Sequence, residues 1–134
     1  DTAAWCPPAG IQDIFRRRGQ EDDRAVGVIV DEIENERPLI VLMYLSQSFF
    51  FAGSDGIVDP PPAEPPEPSQ RHAVVAVAHG EVNGQRAILI RNSWGDGWAA
   101  NGHAWLTESF LEPRVFRVAV LTEEVDVSAH RNAA

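Results

Sequence analysis

The chain has 134 residues, of which 44% are hydrophobic, and it carries a formal net charge of −9. This length suits one domain with a core of its own but not two, and the negative charge argues against nucleic acid or an anionic membrane as a partner. No apolar run approaches the roughly 20 residues that span a bilayer. The sequence starts at Asp1 with neither a methionine nor a signal-like segment, so we interpret this start as a cut, made by trimming or processing or by taking one domain from a longer chain.

The single cysteine, Cys6, excludes an internal disulfide bond. Together with the missing signal segment, this favours a reducing compartment and a cytoplasmic location. One cysteine cannot build a thiolate metal site, and no two of the four histidines stand at a convincing metal-ligand spacing. We therefore expect neither a metal nor another cofactor.

The first third of the chain predicts one helix followed by one strand. Residues 20–36 form the helix, with Asp22 or Asp23 as its N-cap and Pro38 as its stop. Apolar residues recur there at helical spacing, at Val26, Ile29, Val30 and Ile33. Leu39–Leu45, LIVLMYL, is a continuous apolar run of strand length, which indicates a strand buried on both faces.

Two loop-like segments come next. Phe49, Phe50 and Phe51 precede two glycines, and we interpret them as aromatic residues that plug an edge of the core, with a position near a binding cleft as the alternative. The Pro-rich loop, residues 59–68, has the sequence DPPPAEPPEP, which is typical of an exposed polyproline-type segment without a catalytic role. An alternative role for it is to dock a partner. Because closure entropy changes slowly with loop length, deletion of residues 60–68 is expected to change stability by less than about 1 kcal/mol.

The stretch from Arg71 to Leu106 predicts a β-hairpin, a loop and a third strand. Asn83-Gly84 between two apolar runs is a strong hairpin signal. A last strand covers Val115–Leu121, with Thr107 as the N-cap of a short helical turn before it, and residues 122–134 form a polar tail. The expected total is one helix and about five mostly antiparallel strands in a single domain that covers residues 1–134.

The order of residues in this stretch resembles the C-terminal half of a papain-like cysteine peptidase. The matching positions are His72 before a Val/Ala strand, then Asn92, Ser93, Trp94, Gly95 and Trp98, and later Asn101 and Gly102. The resemblance covers roughly residues 32–121. It departs from the family at Ala99, where a glycine is usual, and at His103, where an aromatic residue is usual.

The resemblance implies an α+β, mainly β fold, with an antiparallel sheet or partial barrel like the right-hand domain of these peptidases. It implies that His72 is the catalytic base, that Asn92 orients it, and that Trp94 shields this pair from water. The implied reaction is thiol acyl-transfer hydrolysis of a peptide or isopeptide bond in a peptide or protein substrate. The competing hypothesis is a catalytically inactive, peptidase-derived binding or scaffolding module.

The nucleophile is the part of the site that this sequence does not supply clearly. The family signature around the nucleophilic cysteine is absent, and the family cysteine lies roughly 130–150 residues before its histidine, whereas Cys6 lies only 66 residues before His72. Cys6 is therefore a weak candidate nucleophile, and its other interpretation is a small buried apolar residue. We expect a helical half-domain, in cis or in trans, to carry the cysteine.

The hairpin register can be tested against the catalytic interpretation. With a two-residue turn at Asn83-Gly84 and no irregularity, His72 would face Gly95, and Asn92 would point to the opposite side of the sheet. A three-residue loop, or a bulge near Gly80, would place His72 and Asn92 on the same side. The resemblance thus predicts an odd loop or a bulge, while on an undistorted strand His79 would face away from His72.

Overall fold

The structure, a computed structural model, describes residues 11–13, 24–37 and 39–121. Cys6, the expected caps Asp22 and Asp23, the stop at Pro38 and the tail after Leu121 lie outside these residues. The elements are β1 (Ile11–Asp13), α1 (Ala25–Glu34), β2 (Leu39–Leu45), α2 (Gln47–Phe50), β3 (Ile57–Val58), β4 (Glu67–Val82), β5 (Gln85–Arg91), β6 (His103–Thr107), α3 (Glu108–Leu111) and β7 (Val115–Leu121).

The seven strands form one open sheet in the order β1-β7-β2-β4-β5-β6-β3. All neighbours are antiparallel except β3 and β6, which are parallel. The predicted α+β, mainly β fold is confirmed, and the two strands beyond the predicted five are the edge strands β1 and β3. With three and two residues, these strands are too short to give a sequence pattern. None of the helices in the described part of the chain has the length and apolar character needed to cross a membrane.

The core lies on one face of the sheet. Along β2, Leu39, Val41, Met43 and Leu45 are buried, and the residues between them are half-buried. The prediction that β2 is buried on both faces is therefore wrong. Both faces of β2 carry apolar side chains, so apolar and polar residues do not alternate along it. The sequence therefore does not show which face points into the core.

Helix α1 packs its buried residues, including Val26 and Ile29, into this core. Its N-cap position is Arg24, which makes no side-chain capping bond. The carboxylate of Glu112 takes that role, because it accepts hydrogen bonds from the backbone N–H of Ala25 (3.1 Å) and of Val26 (3.3 Å). The first backbone N–H groups of α1 thus bond to a residue distant in sequence, which rules based on neighbouring residues cannot identify.

Strand β4 bends around a bulge. Its first part pairs with β2 and its second part with β5, and the β5 register shifts between Ala76 and Ala78. The turn itself is the two-residue Asn83-Gly84, with positive φ of 53° and 75°, as a type I′ turn requires. The predicted bulge is confirmed, and it lies at Val77 rather than near Gly80.

The bulge reverses the side on which later residues of β4 point. His72 faces Met43 and His79 faces Ile88, and both partners are fully buried, so both histidines are on the core face. The expectation that His79 faces away applied to an undistorted strand, and the bulge between Ala76 and Ala78 removes that condition. His79 nevertheless lies apart from His72, since its Nε2 contacts Glu34 of α1 at 3.0 Å.

The Pro-rich loop is exposed along most of its length, but two of its carboxylates bond to residues outside the loop. Asp59 accepts a hydrogen bond from Thr107 Oγ1 (3.1 Å), so Thr107, although it occupies the predicted N-cap position, does not cap α3 with its side chain. Glu64 contacts Arg114, which is 1% exposed. Deletion of residues 60–68 would leave that buried guanidinium without its carboxylate, so the predicted near-neutral effect does not fit the structure.

Candidate active site

His72 and Asn92 meet at the end of the hairpin. His72 is half-buried on β4, and Asn92, which directly follows β5, is 5% exposed. His72 Nε2 lies 2.6 Å from Asn92 Oδ1. The backbone N–H of Asn92 donates to Gly102 O (2.9 Å), which ties the end of β5 to the loop that follows it.

A neighbouring backbone group fixes the roles of the two side chains. The N–H of Ser93 donates to Asn92 Oδ1 at 2.8 Å. Because a backbone N–H can only donate, this atom of Asn92 must be the oxygen, and His72 Nε2 must therefore carry the proton. In the neutral ring the lone pair is then on Nδ1, so Nδ1 is the nitrogen left to accept a proton.

Aromatic rings surround His72. The Trp94 ring lies 4.8 Å from the His72 ring, centroid to centroid, at a tilt of 31°, and Phe49 meets His72 edge-on at 5.9 Å. Trp98 packs against Phe49, and its Nε1 donates to Phe49 O at 2.9 Å. Trp94 itself is 40% exposed, so it covers the His–Asn pair on one side only.

The three consecutive phenylalanines have different environments. Phe49 is fully buried, whereas Phe50 is 40% and Phe51 is 81% exposed, so only Phe49 fits the interpretation that these residues plug an edge of the core. Phe50 stacks on Trp94 at 5.4 Å with an interplanar angle of 15°. Successive residues of a helical turn point about 100° apart. Three adjacent residues at the end of α2 therefore cannot all point into the core, and helix geometry could have predicted this from the sequence.

The loop after Asn92 uses left-handed backbone conformations. Gly95 and Gly102 have φ of 86° and 83°, and a Cβ at Gly102 would approach Gly95 O to 3.2 Å. Ala99 has φ of 51°, which explains why glycine is the usual residue there. His103, which stands where an aromatic residue is usual, donates from Nδ1 to Asn101 O at 3.1 Å.

The His72–Asn92 pair has no cysteine beside it within the described residues. Residues 24–37 and 39–121 contain no cysteine, and Cys6 lies outside them. Within the same residues, no group of three or more His, Cys, Asp or Glu side chains could hold a metal ion. Asn92 Nδ2 is buried with no hydrogen-bond partner in this part of the chain.

Comparison with known proteins gives this arrangement its family context. The family model described as papain family cysteine protease matches residues 12–112. The chain belongs to the papain family of cysteine proteases.

Individual members of the papain family are similar to this chain over different lengths. A cysteine protease of Blomia tropicalis is 26% identical over 111 residues, which are 76% of this chain and 31% of that protein. Papaya proteinase 4 of Carica papaya is 56% identical over 32 residues, 24% of this chain and 9% of the relative. The chain thus spans about a third or less of the length of these two relatives.

Two solved structures share the fold. Procathepsin L2 from the larval midgut of Tenebrio molitor aligns with a TM-score of 0.57 and 25% identity, over 74% of this chain and 31% of that chain. Bromelain from Ananas comosus, solved with the E64 inhibitor, aligns with a TM-score of 0.56 over 88% of this chain and 54% of that chain. At 16% identity the bromelain match concerns the fold alone.

Proposed function

We propose that this chain is the His- and Asn-bearing half of a papain-like cysteine protease. The observation that carries the proposal is the contact between His72 Nε2 and Asn92 Oδ1 at 2.6 Å, with Ser93 fixing the orientation of the amide. In this role His72 is the base, Asn92 holds its ring, and Trp94 limits the access of water. The nucleophilic cysteine comes from a helical half-domain, in cis or in trans.

The geometry suits a thiol mechanism that uses Nδ1 of His72. Nδ1 takes the thiol proton, and the thiolate attacks the carbonyl carbon of a peptide or isopeptide bond. The imidazolium gives that proton to the leaving amine, and a thioester remains. Nδ1 then takes a proton from water, the hydroxide attacks the thioester, and the carboxylic acid and free thiol are released. Asn92 accepts a hydrogen bond throughout and adds no charge.

A binding or scaffolding role is the second candidate. It is favoured by the absence of a cysteine from residues 24–37 and 39–121 and by the unpaired Asn92 Nδ2 within them. A buried amide donor without a hydrogen-bond partner is energetically unfavourable, and a working catalytic site would be expected to supply that partner. In this alternative the fold remains and the chemistry has been lost.

A chimeric protease separates the two candidates. Residues 24–121 replace the matching segment of the Blomia tropicalis protease, and hydrolysis of a blocked dipeptide aminocoumarin is measured. We expect turnover, a loss of roughly 10²–10⁴-fold with His72→Ala, and no loss with the matched control His79→Ala, which contacts Glu34 instead. A chimera that unfolds cooperatively, and so is folded, but has no turnover would support the binding module.

A further inference from the structure

A pocket of about 290 Å³ lies between the Pro-rich loop and the turn that joins α3 to β7. Six prolines line it, five from the loop and Pro113 from the turn, and we call it the proline pocket. Ser109, Glu64 and Arg114 complete its lining. None of the residues that surround His72 in the candidate active site is among them, so the proline pocket is a separate site.

The walls of the proline pocket are held in place before anything binds. The loop is attached at its start through the Asp59 carboxylate, which accepts hydrogen bonds from Asn83 Nδ2 (2.8 Å) and Thr107 Oγ1 (3.1 Å). It is attached further along, where Arg114 Nη2 donates to Glu64 O (2.8 Å). The proline rings fix φ at most of the residues between these points. Binding therefore orders little of the chain, which lowers its entropic cost.

The size of the proline pocket suits one aromatic side chain. A cavity of about 150 Å³ takes up benzene, whereas pockets for whole small molecules start at roughly 300 Å³. The proline pocket, at about 290 Å³, lies between these values. A single indole or phenol ring, with the start of the backbone that carries it, would therefore fill it.

Proline rings are suited to contact with an aromatic ring. Their C–H groups carry a small positive charge, and the face of an aromatic ring is negative. Aromatic-lined grooves of peptide-binding domains recognise Pro-rich segments through the same contact. In the proline pocket the prolines form the walls, so the group that binds is the aromatic ring.

Ser109 adds a preference for a ring that can donate a hydrogen bond. Its N–H and its Oγ both donate to Gln85 Oε1, at 2.9 and 2.6 Å. Because the hydroxyl proton is used in this contact, the lone pairs of Oγ are left to accept. Trp and Tyr side chains can supply the donor, and a Phe side chain cannot.

The charges of the proline pocket favour a neutral side chain on a basic segment. Glu64 and Arg114, its two charged lining residues, contact each other at 3.6 Å, so neither is free to pair with a charged side chain. The Pro-rich loop carries Asp59, Glu64 and Glu67 and no basic residue. Basic residues on either side of the bound ring would therefore be attracted to the rim of the pocket.

We propose that the proline pocket binds a Trp or Tyr side chain carried by a basic segment of a partner protein. The pocket contains neither His72 nor Asn92, so this inference holds for a protease and for a non-catalytic module alike. Its tests measure binding to the 134-residue chain, and the activity of the chimera does not enter them.

NMR titration of the full chain measures the binding. The probe is acetyl-Arg-Gly-Trp-Gly-Arg-amide, compared with analogues that carry Phe or Leu in place of Trp and with one that carries Asp in place of both Arg residues. We expect the Trp peptide to bind most tightly and to shift the amide signals of Ser109 and Arg114, since prolines have no N–H. The Leu peptide should bind roughly tenfold more weakly. Equal affinity for the Trp and Leu peptides, or tighter binding of the Asp peptide, would overturn the inference.

Proline variants locate the bound ring. Pro113→Ala removes a ring from the wall opposite the loop and should weaken the binding of the Trp peptide several-fold. The matched control Pro68→Ala removes an exposed ring of the same loop that does not line the pocket, and should leave the affinity unchanged. Both variants should unfold cooperatively in urea. An unaltered Pro113→Ala variant, or equal losses in the two variants, would place the peptide elsewhere and contradict the proposal.

Ser109→Ala separates the loss of one hydrogen bond from a general loss of structure. Ser109 is exposed, so this variant should remain folded. We expect the affinity for the Trp peptide to fall to that for the Phe peptide, and the Phe peptide to bind as before. Phe50→Ala, which alters the ring stacked on Trp94, should change neither affinity. Weaker binding of both peptides to Ser109→Ala, or of either peptide to Phe50→Ala, would remove the proline pocket as their site.

Discussion

Two tryptophans of the candidate site, Trp94 beside the His72 ring and Trp98 beside Phe49, differ in burial. This difference sets their expected contribution to stability. Trp98 is 8% exposed and donates to Phe49 O, whereas Trp94 is 40% exposed. We expect Trp98→Ala to lower the free energy of unfolding by about 3–5 kcal/mol, and Trp94→Ala to lower it by only about 1–2 kcal/mol, because less apolar surface is lost. Urea denaturation measures both, and equal losses would contradict this assignment.

Residue identities predicted the candidate pair but not its surroundings. His72 and Asn92 could be chosen from the order of residues, because that order resembles a known family. The Phe50–Trp94 stack could not, since it joins two segments about 44 residues apart through exposed rings. The sequence also could not show that Trp94 is half-exposed, because the burial of its ring depends on which other elements pack against it.

The β4 bulge is the element that aligns the candidate site. The hairpin register required one extra residue somewhere, and the sequence alone could not locate it, because Val77 lies in a uniform Val/Ala run. The structure places the extra residue at the point where β4 leaves β2 and pairs with β5. The sequence therefore predicted that the hairpin contains one extra residue. The position of that residue depends on where the sheet bends.

An alanine inserted after Val77 tests that role. The added residue lengthens β4 between the turn and His72 by one position, so β4 can keep its register on both sides only by turning His72 away from Asn92 or by widening the bulge. We expect the hydrogen-bonded Nε2–H signal of His72 to be lost from the NMR spectrum. Deletion of Val77 should retain the signal, because the pairs that Ala76 and Ala78 make with β5 then follow one another directly. Retention of the signal in the insertion variant, or its loss in the deletion variant, would show that the count of residues in β4 does not align the pair.

The Glu64 carboxylate, which contacts Ser46, Ser48 and Arg114, should make stability depend on pH in the acid range. Burial alone would raise the pKa of Glu64, but hydrogen bonds from Ser46 and Ser48 and the charge of Arg114 outweigh it and hold that pKa below the usual 4.5. A carboxyl with a lowered folded pKa stabilises the fold above its unfolded pKa, and that stability is lost as pH falls through the folded value.

The wild-type chain should therefore be more stable than Glu64→Gln at about pH 6, and the difference should shrink as pH falls below the unfolded value of about 4.5. Urea unfolding at several pH values measures the difference. Because the Asp59 pKa is also lowered, by hydrogen bonds from Asn83, Thr107 and Gln85 against the opposing effect of burial, both proteins should lose some stability in acid. A difference that stays constant with pH would show that the charge of Glu64 does not stabilise the fold.

At the scale of the whole molecule, local patterns predicted most strands, and the resemblance to papain-like peptidases implied the fold class. Contacts between residues distant in sequence could not be predicted. The hairpin, β6 and β7 follow from apolar runs and turn residues. The Glu112 cap on α1 joins residues 86 and 87 positions apart, and the Arg114–Glu64 bond joins residues 50 apart. Such contacts are set by how the elements pack, so no local rule identifies them.

We expect the 134-residue chain by itself not to cleave peptides, because its described residues contain the His72–Asn92 pair but no cysteine. Incubation with a broad mixture of blocked peptide substrates and with a thiol-alkylating probe checks this. Turnover that disappears in Cys6→Ser would contradict the expectation and would make Cys6 the nucleophile.

The most direct test of the central claim, that His72 activates a cysteine, is the pH dependence of thiol alkylation in the chimeric protease. A free cysteine reacts mainly near and above its pKa of about 8.5, whereas a cysteine paired with a histidine stays a thiolate several pH units lower. The chimera should be alkylated rapidly at about pH 5, and His72→Gln should move the profile up towards the free-thiol value. Identical profiles for the chimera and its His72→Gln variant would contradict the claim.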